Sequence, residues 1–466
     1  MLPLSSLFKP QTLAALGLSA FLAACGTMSD KPSTVPDKVG EATGEPLDIQ
    51  DPATLPNLDE REIVRVALLL PLSDRSEPVQ QLASAMRNAA QMVAFESGND
   101  NFLLIPGDTR GTPMGARAAA ADAIRDGADI ILGPLRADSV RAVAEVATMR
   151  NIPVIAFSND RAVAGNGVYL LSFPPEPEIK RVTTFALSQG YARFGLLAPI
   201  TDYGDRVSDS FRQEVYVGGG DLVHAERYIR SVGDMQEPAR RLAEYAAPGF
   251  IPQYVSPRRP GAGVGGNPFR PSRGDGVGGG VTSTRGPLDR PEAPSMAYDP
   301  VFDGFQAVLL PESGRMLRAL APLLPYNDVN IREIKLLGVS SWNNPSLTSE
   351  PALAGGWFAA PDPDVSDGFT QRYRAAYGAN PPRLASLAYD ATLVAARLAE
   401  SDVPNPYSSA LLTNPNGFYG ADGLFRLTPN GMVERGLAVL EVSGKSIKVI
   451  DPAPRSFAPA PDQSRF

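Results

Sequence analysis

The feature that most constrains this chain is an alternation of short apolar runs with stretches of helical spacing, which starts at Ile63 and continues to about residue 245. Val64–Leu70 reads as a buried strand closed by Pro71, and Val79–Phe95 follows with Leu82, Ala85, Met86, Ala89 and Val93 on one helical face. The same unit is predicted in Phe102–Ile105 with Met114–Arg125, in Ile130–Leu132 with Ser139–Met149, and in the strand Val154–Ala156. Strands this apolar, separated by helices of ten to fifteen residues, require a parallel sheet covered on both faces. An extended crossover over Val168–Pro175 then leads to a second series. It comprises the helix Glu178–Ser188, the strand Phe194–Ala198, the helix Asp205–Val217, the strand Leu222–Tyr228 and the helix Met235–Tyr245.

Pro248–Pro294 breaks the pattern, because Gly and Pro fill it and its few apolar residues have no period, the composition of a disordered or long surface loop. It contains Gly261-Ala262-Gly263-Val264-Gly265-Gly266, which imitates a dinucleotide fingerprint in spacing alone, with no strand before it and no helix after it. Beyond it the reading gives a strand at Ala307–Leu310, a helix at Gly314–Leu324, a strand at Lys335–Val339, an extended piece at Gly356–Ala360 and helices at Asp367–Tyr377 and Leu384–Glu400. Gly423–Ile450 reads as a meander with turns at Pro429-Asn430-Gly431 and Gly444-Lys445. Residues 453–466 are expected to be a disordered tail.

The amino terminus gives an address. An apolar run from Leu13 to Ala24, preceded by Lys9 and free of acids, is too short to span a bilayer and fits an export signal. It ends in Leu22-Ala23-Ala24-Cys25, which resembles the lipobox of bacterial lipoproteins, and Cys25 is the only cysteine of the chain. That resemblance implies cleavage after residue 24 and lipidation of Cys25. With Gly26 in place of an aspartate next to the cysteine, it also implies a destination on the periplasmic face of the outer membrane. The alternatives are an ordinary signal peptide cut after the small residues, leaving a free thiol, and a cytosolic protein with a chance apolar start. Residues 25–61 are rich in Pro, Asp, Glu, Ser and Thr without apolar period, and are expected to form a disordered periplasmic stalk.

Composition removes several kinds of chemistry. A formal charge of -8 with no run of Lys or Arg argues against nucleic acid. The single cysteine allows no intrachain disulfide, and the single histidine, His224, gives a histidine-based triad or a multi-histidine metal site almost no material. His224 is expected at a surface or sheet edge. Asp362-Pro363-Asp364 offers paired carboxylates with no visible helper, and Gly338-Val339-Ser340-Ser341-Trp342 lacks the closing glycine of a nucleophile elbow. We therefore expect a non-catalytic protein with no cofactor and no metal.

Two parallel-sheet lobes in succession, a helical return and a late meander resemble the type I periplasmic-binding-protein-like fold, in its leucine/isoleucine/valine-binding branch. The likeness is carried by Ile131-Leu132-Gly133-Pro134, Asp202-Tyr203-Gly204, Leu310-Pro311-Glu312-Ser313-Gly314, Leu387-Ala388-Tyr389-Asp390-Ala391 and Gly420-Ala421-Asp422-Gly423-Leu424-Phe425-Arg426. It implies an α/β body over residues 62–452, each lobe a parallel sheet flanked by helices. The first lobe is expected over 62–175 and 356–412, and the second over 176–355 and 413–452. A lipoprotein with an insert in the second lobe is similar to the penicillin-binding protein activators. That likeness implies a penicillin-binding protein, a bifunctional peptidoglycan synthase, as partner. The enterobacterial members carry an additional helical-repeat domain where this chain has only its stalk. The alternative from the same fold is a receptor for an amino acid or small peptide that feeds an ABC transporter.

In an open parallel sheet, ligands sit beyond the carboxyl ends of the strands. The residues there are Ser73, Arg136, Ser158 and Asn159 in the first lobe and Tyr203, Glu312, Ser340, Ser341 and Trp342 in the second. Together they could hold a small polar ligand in the cleft. Each also has a plain structural alternative: the serines cap helices, Tyr203 shapes a turn, and Trp342 packs.

Overall fold

The structure, a computed structural model, describes residues 63–246, 304–401 and 403–457. The chain divides into two compact units, Met1–Asn57 and Leu58–Phe466. The first lies wholly outside the described residues, as do the expected signal, Cys25, the stalk, the 248–294 insert and the tail from residue 458.

The second unit opens with β1 (Val64–Leu70), α1 (Glu77–Ser97), β2 (Phe102–Asp108), α2 (Pro113–Arg125), β3 (Ile130–Leu132), α3 (Ala137–Thr148), β4 (Val154–Ala156) and β5 (Val168–Leu170). These strands form one parallel sheet in the order β2-β1-β3-β4-β5. Five successive residues of β1, Val66 to Leu70, are buried, as a strand covered on both faces requires. Val168–Leu170, expected as crossover, is the fifth strand, and the crossover proper is residues 171–174.

The chain then enters a second lobe through α4 (Pro175–Ser188), β6 (Arg193–Pro199), α5 (Asp202–Val217), β7 (Asp221–Tyr228) and α6 (Gln236–Ala243). It continues with β8 (Ala307–Leu309), α7 (Gly314–Leu320), α8 (Leu323–Tyr326), β9 (Lys335–Gly338) and β10 (Trp357–Ala360). The helix expected over Gly314–Leu324 is divided because Pro322 cannot continue it. α9 (Pro363–Tyr377), α10 (Ala385–Ala399) and α11 (Ser409–Leu412) return to the first lobe. There follow β11 (Phe418–Gly420), β12 (Gly423–Leu427), β13 (Val433–Arg435), β14 (Ala438–Val442) and β15 (Ile447–Asp451).

The second sheet has the order β15-β14-β10-β9-β8-β6-β7, and β11-β12-β13 is a separate antiparallel sheet. Two lobe boundaries are corrected by this pairing. Trp357–Ala360, expected in the first lobe, pairs parallel with β9 and antiparallel with β14, completing the second sheet. The meander expected in the second lobe is split: Phe425, Leu427 and Val433 enter the first lobe's core, whereas Leu437, Ala438, Leu440 and Val442 enter the second's. Three crossovers thus join the lobes, at residues 171–174, 361–362 and 436–437. A third correction concerns the tail, where Ala453 packs on the second core and Phe457 lies against Arg426.

The first lobe's larger core rests on α1 against α10. α1 contributes Ala83, Met86, Ala89, Ala90 and Val93, and α10 is buried almost all round, its alanines letting the helices approach closely. Among the described residues no helix is long and apolar enough to cross a membrane.

Candidate functional site

The two sheets share one strand order. In β2-β1-β3-β4-β5 and β7-β6-β8-β9-β10 the winding reverses beside the lobe's first strand, and the crevice beyond the carboxyl ends at that point is where such a fold places a ligand. Here a cavity of about 810 Å³ opens beyond the second sheet. Asn159 and Phe173 line it on the first-lobe side, with Tyr203, Glu312, Ser340 and Ser341 on the other. A larger hollow of about 1040 Å³ lies at the opposite, amino ends of β4 and β5, between residues 151–153 and 162–167. Strand polarity therefore favours the smaller cavity.

Sequence chemistry sets each side chain. Thr201 caps α5 by accepting from the Gly204 N–H at 3.0 Å, so Tyr203 stands in the helix's first turn and faces the cleft rather than shaping a loop. The segment following β8 delivers Glu312, which is only 3% exposed. Its carboxylate accepts from Arg230 Nε at 3.0 Å and Nη2 at 3.1 Å, and from Tyr228 Oη at 3.0 Å. Burial first, and then the adjacent Glu312, push the Tyr228 hydroxyl strongly up, so it remains a donor. Ser341 donates its hydroxyl to the Glu312 carbonyl at 3.3 Å.

Ser340 donates its backbone N–H to Glu178 Oε2 at 2.8 Å. Glu178, on the first turns of α4, is a buried wall of the cavity, and burial raises its carboxyl above the usual range despite that bond and the charges of Arg383 and Arg435. Arg206 on α5 spans the lobes. It grips Glu176 with Nε at 3.1 Å and Nη2 at 3.0 Å, and its Nη1 donates to the Asn159 carbonyl at 3.2 Å.

The first lobe's residues are engaged elsewhere. Arg136 Nη2 donates to Asp74 Oδ2 at 2.8 Å, pairing the segments that follow β1 and β3, and its Nη1 reaches the Gly111 carbonyl at 3.3 Å. Ser73 donates its hydroxyl to Asp108 at 2.5 Å. For Asp108 burial works upward, but this bond and the N–H groups of Arg110 and Ser73 outweigh it and hold the carboxyl low. Ser158 is buried and its hydroxyl accepts from the Asp160 N–H at 3.2 Å.

The structure thus gathers Asn159, Tyr203, Glu312, Ser340 and Ser341 around one cavity, whereas Ser73, Arg136 and Ser158 do not line it. Trp342 is fully buried in the second core, in the space left by the absent side chain of Gly338, whose Cβ would stand 2.2 Å from the indole. Glu178, Arg206 and Arg230 were not singled out from sequence. Arg230 alone carried a signal, as the residue just past a strand's carboxyl end. His224 lies on the edge strand β7, stacked on Tyr245 at 3.8 Å and bonded to Glu226 at 2.9 Å. Asp362 caps α9 through the Asp364 N–H at 3.1 Å.

Residues 64–255 match a family described as periplasmic binding protein. Among curated relatives, the penicillin-binding protein activator LpoA of Vibrio antiquarius (strain Ex25) is 26% identical over 255 residues, 50% of this chain and 41% of that protein. LpoA of Vibrio cholerae serotype O1 is 26% identical over 230 residues, 46% and 37% of the two chains. The match therefore spans less than half the length of these relatives. In structure the chain is similar to a branched-chain amino acid ABC transporter structure from Rhodospirillum rubrum, with a TM-score of 0.62 and 16% identity over 83% of this chain and 99% of that one. A periplasmic ligand-binding protein of a branched-chain amino acid ABC transporter from Burkholderia xenovorans gives 0.56 and 16%, over 85% and 97%. At such identity these two likenesses establish the fold alone. In sequence the chain is similar to these LpoA proteins, and its fold is that of the type I periplasmic binding proteins.

Proposed function

We propose that this chain is a non-catalytic periplasmic protein that activates a bifunctional peptidoglycan synthase by contact, held on the outer membrane through a lipid on Cys25. The relatives named as penicillin-binding protein activators support the partner class, and the fold supports the periplasm. The observation that carries contact over uptake is that the charges at both crevices are already paired within the chain, Asp74–Arg136 at 2.8 Å and Glu312–Arg230 at 3.0 Å, the second pair lining the open cavity. A ligand carrying one charge of each sign finds the second-lobe carboxylate already neutralised, and displacing Arg230 would leave a buried acid to be paired again.

The test pairs two measurements on the full chain. Glycan polymerisation by bifunctional synthases from the same cell should accelerate when it is added. A panel of amino acids and small peptides should leave its melting temperature unchanged, whereas a true ligand at a hundred times its Kd would stabilise it by about 2.7 kcal/mol. No acceleration by any synthase of that cell sinks the proposal.

The receptor reading keeps one specific support. Glu178 turns a buried carboxylate toward the cavity, where Ser340 is its hydrogen-bond partner, beside the half-exposed Tyr203. A melting-temperature rise that vanishes in Glu178→Gln would favour that reading.

A further inference from the structure

The chain continues past its last strand. β15 ends in the second lobe, and residues 452–457 then run back over the hinge. Arg181 on α4 anchors the departure, with Nη2 donating to Asp451 Oδ2 at 2.7 Å and to the Pro452 carbonyl at 3.2 Å. Its Nε donates to the Leu437 carbonyl, in the third crossover, at 2.8 Å. Ala453 packs against the second core, and Pro454 lies on Gly436, where an added Cβ would stand 3.1 Å from Pro454 Cγ. The segment ends with the Phe457 ring 4.6 Å from the Arg426 guanidinium. Arg426 lies on β12, is bonded to Glu434 of β13 and the Pro415 carbonyl, and is flanked by Phe425 and Leu427, which enter the first core.

Six residues are therefore fixed to the second lobe at one end and to the first at the other, and between them they cover a crossover. Two prolines, Pro452 and Pro454, fix φ in the segment and stiffen it, so it transmits restraint better than a flexible tail would. We propose that residues 452–457 form a strap that restrains rotation of the lobes about their hinge. Rotation that moves β12 relative to α4 must part Phe457 from Arg426 or lift Pro454 from Gly436. Anchorage on the second core alone would need neither contact.

Spin labels on the two lobes test this. Met114 and Ile229, exposed at 82% and 62% on the two lobes, are each replaced by cysteine in the full chain carrying Cys25→Ser, which removes the one native thiol. Double electron–electron resonance then reads the distribution of inter-lobe distances. Truncation after Pro452 should widen that distribution, and Phe457→Ala should widen it less, while circular dichroism shows both folded. A folded truncation with an unchanged distribution overturns the strap, whatever its melting temperature does. Should the truncation fail to fold, an unchanged distribution in Phe457→Ala overturns it equally.

Discussion

The two lobes solve one geometric problem with exchanged parts. In the first, the acid follows β1 and the arginine follows β3, so Asp74 and Arg136 face each other across the winding reversal. In the second, the acid follows β8, the counterpart of β3, and the arginine follows β7, the counterpart of β2. The pairs also differ in support. Glu312 accepts from both Arg230 and Tyr228, whereas Asp74 takes one guanidinium contact and the Ser76 N–H. A shared fold thus fixes where a crevice lies, and the local residues decide whether it stays open.

The largest expected effect separates core from cleft in the second lobe. Trp342→Ala should lower stability by about 3–5 kcal/mol, because it empties a fully buried site, whereas Tyr203→Ala at the rim should cost within about 0.5 kcal/mol. Urea unfolding of both variants checks this, and equal costs would show that Trp342 is not packed as described. Next come the two ion pairs. Arg230→Ala should cost roughly 1–2 kcal/mol after allowing for a half-exposed guanidinium, and Arg136→Ala about half as much, since it gives up fewer bonds to its acid. A reversed order in the same unfolding assay would break the comparison.

The smallest effects are opposite in sign and so sharpen it further. Asp108 in the first lobe has its folded pKa depressed, so its contribution is present above the unfolded value near 3.8 and is lost as pH falls through the lower folded value. Glu178 has its folded pKa raised, so its contribution is present below the unfolded value near 4.5 and is lost as pH rises through the higher one. Stability measured from acid to neutral pH should therefore lose part of its rise in Asp108→Asn and part of its fall in Glu178→Gln. Changes of the same sign in both would contradict these environments.

Much of the scaffold was legible because parallel strands buried on both faces are written as unbroken apolar runs, of which Val64–Leu70 is the plainest. The carboxyl ends of those strands likewise indicated Asn159, Tyr203, Glu312, Ser340 and Ser341. Pairings between distant residues were not legible. Arg230 and Glu312 are 82 positions apart, and no periodicity announces that one will neutralise the other. Glu178 read only as the start of a helix, and Trp342 could not be told from a cleft aromatic until Gly338 was seen to make room for it. The lobe boundaries failed for a related reason. Trp357–Ala360 is apolar enough for either sheet, and partners on both sides decide which one it joins.

The most direct test of the proposal that this protein works by contact and not through its open cleft is to plug the cleft and measure the synthase. Asn159→Trp places an indole at an exposed cavity position whose side chain the fold does not use. The account predicts that wild type and this variant accelerate glycan polymerisation equally. Loss of acceleration in the variant, with its fold and melting temperature intact, would contradict it.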